Sequence, residues 1–349
     1  MSKKKKLIRI ISTFIIFAVV FMLIQRLLMP KYVDDVVEGN LIKEYYQEEN
    51  KDYDVIFIGD CEVYENFSPV KLWTEYGINS YIRGSAEQYI WQSYYLLEDT
   101  LRYHKPQVVV FNIQSLQFNK SQSEAYNRMT LDGMKWSKVN AINASMKENE
   151  HFIEYVFPLL RYHSRWSELT ASDVKYMFKQ PDKISHNGYY MRVDTKPANN
   201  VPKGRMLTDY SFGDNAWKYL DKMRELCDKN GITLLLVKAP SLYPYWYDEY
   251  DEQVVDYADK YNLTYINLLK KSDETGIDYQ TDTYDAGLHM NLSGAEKLSV
   301  YIGNILQNYM NVSDRRDNKE LSDIWNKKIG EYEADIKKQC EYYNVTLQR

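Results

Sequence analysis

Two short segments carry residues able to do chemistry. The first is Ile58-Gly59-Asp60-Cys61-Glu62, and the second, far downstream, is Asp285-Ala286-Gly287-Leu288-His289. An apolar run from Asp54 to Gly59 predicts a strand that delivers the Cys61 thiol into a tight turn. A late Asp/His pair just before a C-terminal helix can supply the base that activates such a nucleophile. If the two ends meet in space, the result is an acyl-transfer site.

The elements that must position these residues are legible as alternating apolar runs and helical stretches, the pattern of βα units in a parallel sheet. Predicted strands are Val55–Ile58, Ser80–Ile82, Val108–Phe111, Thr233–Val237 and Thr264–Ile266, with helices over about 86–103, 214–229, 251–261 and 293–310. Continuous β-rich runs suit strands covered on both faces. The fold class is therefore α/β, a three-layer sandwich around a flavodoxin-like parallel sheet. Ligands of open parallel sheets bind beyond the carboxyl ends of the strands. Cys61 follows the first predicted strand, Gly84 the second and Asn112 the third, while His289 comes from the loop after the fifth. All four belong at one edge.

The βα rhythm stops between about 117 and 210. That stretch is rich in Tyr, Trp, Met and Lys, with helical pieces near 137–148 and 150–179, and reads as an insertion capping the sheet edge. The tail beyond 313 is charged, but Ile324, Trp325, Ile329, Tyr332 and Ile336 recur at helical spacing, which predicts an amphipathic helix packed on the domain. Expected units are thus residues 1–30, a stalk over 31–51, the α/β domain over 52–312 and the C-terminal helix over 313–349.

Residues 1–31 hold seven basic and no acidic side chains, whereas the remainder carries 37 basic against 49 acidic ones. A body that acidic excludes nucleic acid as a natural ligand, because phosphate contacts need clustered Lys and Arg. Lys3–Lys6 precede the apolar run Leu7–Met29, whose ends hold Arg9 and Arg26, where long side chains can snorkel. This predicts an uncleaved single-pass anchor with its Lys cluster cytoplasmic and the domain outside the cell membrane. A signal peptide is the rival, but no small-x-small cleavage site follows. Three cysteines in an exported chain leave at least one free thiol. Cys227, inside a helical stretch, reads as a small core hydrophobe, and Cys340 lies in the polar tail.

The order of these segments resembles the SGNH (GDSL-like) hydrolase superfamily: a GDS-type turn after the first strand, Gly after the second, Asn after the third and a late Asp-x-x-His. It is most similar to the membrane-anchored, extracytoplasmic branch of DltD-like and AlgJ/AlgX-like proteins. Ile58-Gly59-Asp60-Cys61 and Leu288-His289-Met290-Asn291-Leu292-Ser293-Gly294 carry the resemblance, which spans roughly 52–118 and 230–310. Two departures stand out. Cys61 occupies the position of the family's serine, and Asp285 lies four residues before His289, with Asp282 seven before it. A thiolate is strongly nucleophilic, and a thiol paired with His can titrate far below its ordinary value.

The resemblance implies an acyltransferase or esterase acting on a cell-surface glycan or related envelope polymer, with a membrane-bound O-acyltransferase as partner. Cys61 is then the nucleophile, His289 the general base and Asp285, or alternatively Asp282, its orienting acid. The oxyanion hole falls to backbone N–H groups near Cys61 and Gly84 with the Asn112 side chain. Asp60 stabilises the turn. The bland alternatives are a helix-start histidine capped nearby by Asn291 and Ser293, a turn glycine at 84, solvated loop acids, and an inactive protein that binds glycan or scaffolds an envelope complex. A weaker substrate-binding set is Arg161, His163 and Arg165 in the insertion and Tyr245 and Trp246 after the fourth strand. No metal or other cofactor is expected: Asp282, Asp285 and His289 fit no compact metal site, and no dinucleotide or Walker fingerprint is present.

Overall fold

The computed structural model describes residues 3–29, 38–121, 130, 131, 133–178 and 182–346; residues 31–37 of the stalk expected over 31–51 lie outside them. The first elements are α1 (Lys3–Leu28), α2 (Glu38–Gln47), β1 (Val55–Gly59), α3 (Cys61–Tyr64), α4 (Pro69–Tyr76), β2 (Ser80–Gly84), α5 (Ile90–Thr100) and β3 (Val108–Asn112). The insertion supplies α6 (Lys138–Ser145), α7 (Phe152–Val156), α8 (Leu159–Tyr162) and α9 (Ala171–Phe178). The chain then completes its domain with α10 (Asp214–Asn230), β4 (Thr233–Lys238), α11 (Asp248–Tyr261), β5 (Thr264–Asn267), α12 (Ser272–Thr275), α13 (Leu292–Asn308) and α14 (Lys319–Tyr343).

The five strands form one parallel sheet in the order β2-β1-β3-β4-β5. Alternate side chains of each strand feed opposite cores, as the period of two demands. Ile56, Val109 and Leu234 face α5, α10 and α11, while Val55, Val108 and Leu235 face α4, α13 and α14. Every residue of β1, β2 and β3 is buried, the condition for parallel strands covered on both sides. Cys227 is fully buried in the first core.

The C-terminal amphipathic pattern becomes α14. Leu321, Trp325, Tyr332 and Ile336 are buried along it, and Trp325 stacks on Trp73 of α4 at 5.2 Å. The helix begins where Asn318 accepts from the Leu321 N–H at 3.1 Å, an ordinary N-cap.

The insertion departs from its expected form in two ways. The helix expected over 150–179 is broken at Phe157, which leaves helical φ/ψ just before Pro158, a residue that disfavours helix at the position preceding it. From Ser185 the chain turns tightly at Asn187-Gly188 and runs on without regular structure to Ala198, a strap whose Asn187 meets the free edge of β2. Ile82 N donates to Asn187 O at 2.9 Å, and Asn187 Nδ2 donates to Ser80 O at 3.1 Å. Gly188 lies at φ +85°, and a Cβ there would stand 2.1 Å from Ile82 O. The strap closes an edge that would otherwise invite another strand. It then runs on to the His289 loop, where Lys196 N donates to Thr283 O and Ala286 N to Lys196 O.

The helix α1 is long and apolar enough to cross a membrane, with a mean hydropathy of 2.7 over its best window.

Candidate active site

Cys61 is the first residue of α3, immediately beyond β1. Asp60 caps this turn by accepting from Glu62 N at 3.2 Å. The turn is tight enough that a Cβ on Gly59 would approach Val63 Cγ2 to 2.4 Å, so glycine is required where the strand hands over to the helix. Gly84 lies beside it: a Cβ there would fall 3.4 Å from Asp60 O.

His289 arrives from the loop between β5 and α13. Asp285 binds it twice, with Oδ2 2.6 Å from Nδ1 and Oδ1 accepting from its backbone N–H at 2.8 Å. Ala286 at φ +69° and Gly287 at φ +101° turn the intervening chain back on itself. That reversal explains the four-residue spacing, since the longer loop still returns the carboxylate to the ring. Asp282 does other work: it is buried, accepting from Asp278 N at 2.8 Å and from Lys297 Nζ at 2.6 Å. Of the two acids, the structure brings Asp285 to the imidazole.

With Nδ1 held by Asp285, Nε2 is the ring nitrogen left to serve Cys61. It is buried and makes no hydrogen bond of ordinary geometry, although thiol and ring influence one another's titration. Burial pushes the Cys61 thiol up to about 12, with His289 opposing and Asp60 and Glu65 adding to the rise. Burial alone would lower His289, but Glu65, then Cys61 and Asp285, outweigh it and hold the ring well above the usual histidine range. Both directions run against the depressed-pKa thiolate expected from the pairing alone.

Sequence reasoning missed the residues responsible. Glu65 is buried, its Oε2 3.7 Å from His289 Nδ1. It accepts from the Tyr284 hydroxyl, and the Tyr284 ring stacks on the imidazole at 6.0 Å. Its signal was its place four residues after Cys61, on the same helical face. Glu62 and Lys238 form a second hidden pair at 2.9 Å, both buried. There the signal was a lysine closing the apolar run Thr233–Val237.

Asn112 serves this network. Its Nδ2 donates to Asp60 Oδ1 and Glu62 Oε2, each at 3.1 Å, and its Oδ1 accepts from Ala239 N at 3.0 Å. Serving an oxyanion would mean giving up those bonds, so the side chain reads as a brace for the nucleophile turn. Burial first, then Glu62, raise Asp60 to about 7.

The weaker set divides. Arg161 meets Glu150 and Glu154, Arg165 meets Asp173 and Leu28 O, and the exposed His163 meets Leu160 O; these polar contacts lie in the insertion and at α1, not at Cys61. Trp246 is nearly buried, whereas Tyr245 is half exposed. Both line a cavity of ≈ 810 Å³ with Lys203, Arg205 and Leu242, and Leu242 N donates to Gly287 O at 2.7 Å in the Asp285–His289 loop.

Glu65→Gln tests the electrostatics of the site. A base must be neutral to accept a proton, so activity dependent on His289 rises as pH climbs through its elevated pKa. Removing the largest raising charge moves that midpoint to lower pH and raises the rate near neutrality. The pH profile of acylation by a small aryl ester measures it; an unmoved or higher midpoint would contradict the assignment.

No family model matches the chain, and no curated protein matches it. A solved structure that resembles it belongs to a Bacteroides fragilis protein described only provisionally as an acylhydrolase. Identity is 12%, the TM-score 0.38, and the match covers 78% of this chain and 96% of the other. A likeness that slight has no bearing on the chemistry.

Proposed function

We propose that the chain is an extracytoplasmic acyltransferase or esterase that works through a thioester on Cys61. The observation that carries this reading is Asp285 fixing Nδ1 of His289 while buried Nε2 remains for the Cys61 thiol, at the carboxyl edge of a parallel sheet. In the forward step the sulfur attacks an ester carbonyl as its proton passes to Nε2. The tetrahedral intermediate then collapses, and the departing alcohol takes that proton. An acceptor hydroxyl or water next attacks the thioester, giving its proton to His289 and releasing the thiol. Asp285 stabilises the imidazolium in both halves. Backbone N–H groups around Cys61 and Gly84 are the oxyanion donors in this scheme.

The acceptor is a cell-envelope glycan. Tyr245 offers an exposed ring for a sugar face, with the buried Trp246 behind it, beside the cavity that borders the His289 loop. The Lys cluster that opens α1 favours a cytoplasmic N-terminus and a domain outside, and a membrane-bound O-acyltransferase is the acyl source implied by the family resemblance. The burial that disfavours a Cys61 thiolate favours a second reading, an inactive relative that only binds glycan or scaffolds its partners.

Turnover of a soluble aryl acetate by the full-length protein in detergent separates the two. Catalysis predicts alcohol release that increases with pH and is lost in His289→Ala and Asp285→Asn. Absence of turnover at every pH up to mildly alkaline would leave the scaffold reading standing.

A further inference from the structure

We infer that the insertion over Phe152–Phe178 is a membrane-embedded collar, seated in the bilayer beside α1; this rests on α1 spanning the membrane. The insertion packs on the last turns of that helix through α8, α9 and the turn between them. Phe157 meets the Phe21 ring at 5.8 Å. Arg165 donates to Leu28 O at 2.7 Å, and Arg26 donates to Tyr176 O at 3.1 Å.

Depth follows from helix geometry. At 1.5 Å of rise per residue, α1 extends about 39 Å, more than the ~30 Å of a hydrocarbon core. Its uncharged stretch runs from Ile10 to Gln25, between Arg9 and Arg26. Charged side chains mark the interface, and Phe21 lies five residues inside Arg26, about 7 Å below it. Phe157, packed on Phe21, shares that depth. An element reaching so far down must present apolar side chains to lipid, and this one does, while its exposed His163, Glu168 and Lys175 must lie at the headgroups. Val156, Leu160, Trp166, Val174 and Phe178 are each between 46% and 71% exposed, an arrangement unfavourable in water but natural in acyl chains. Trp166 suits the headgroup level, where indoles concentrate.

Lipid is the occupant favoured over a protein, because the exposed residues continue a surface that α1 already presents to the bilayer. The test places the full-length protein in phosphatidylcholine vesicles whose lipid carries a photoactivatable acyl chain, then maps adducts by peptide mass spectrometry. Adducts should fall in α1 and in 152–178, with none at Tyr309, which is exposed beside the opposite edge of the sheet. Leu160→Glu with Phe178→Glu should remove the insertion adducts and leave those in α1. Labelling of α1 alone overturns the collar while preserving the anchor; labelling of neither overturns both. Cross-linking of an unlabelled insertion to a second copy would show a protein-covered face and likewise overturn it.

Discussion

Cys61→Ala eliminates acyl-enzyme formation, lowering turnover by roughly a thousandfold or more, while Cys61→Ser retains it within about tenfold. The contrast comes from the charges around the nucleophile. A cysteine that works as a preformed thiolate sits in electropositive surroundings, and serine, whose alkoxide is far harder to form, does not replace it there. Here Asp60 and Glu65 oppose ionisation, and burial lifts the thiol to about 12. The nucleophile must keep its proton until it attacks, as serine does in a triad. Stopped-flow acylation of both variants by an aryl ester checks this. A serine variant as inactive as the alanine one would mean that the thiolate is the working species.

Lys238→Met is expected to destabilise the fold by about 3–5 kcal/mol, since removing one partner of a buried ion pair strands the other. Lys238 Nζ is wholly buried, 2.9 Å from Glu62 Oε2 and 2.7 Å from Ala239 O. Without it, the buried Glu62 carboxylate keeps only the Asn112 amide as a partner. The combined variant Lys238→Met with Glu62→Leu should recover most of the loss, because replacing both partners by apolar groups is often near neutral. Denaturant unfolding of the full-length protein in detergent, followed by tryptophan fluorescence, measures both. Equal midpoints for Lys238→Met and wild type would show that the pair contributes little. Glu62 directly follows Cys61, so loss of the pair also loosens the nucleophile turn.

Much of this architecture was legible in the chain. Runs such as Val108-Val109-Val110-Phe111 are too short for helices and too apolar for loops, and each begins a strand where expected. Because strand ends were visible, so was the convergence of Cys61, Gly84, Asn112 and the His289 loop. What escaped was non-local. The strap at 185–198 meets β2 at Asn187 alone, through one backbone and one side-chain bond, and carries no period of its own. Asn112 stood at the right strand end, yet its amide bonds depend on Asp60, Glu62 and Ala239, which only the folded chain assembles. The thiol's surroundings were hidden for the same reason: His289 lowers its pKa, but burial, Asp60 and Glu65 raise it. Arg161 and Arg165 meet neighbouring acids of their own segment, and only the Leu28 carbonyl of α1 comes from far along the chain.

The most direct test of the central claim is the intact mass of the full-length protein after brief exposure to an activated acetyl ester at mildly alkaline pH, where His289 can be neutral. The account predicts one acetyl adduct, mapping to Cys61, absent in Cys61→Ala and strongly slowed in His289→Ala. No adduct, or one formed equally fast without His289, would contradict it.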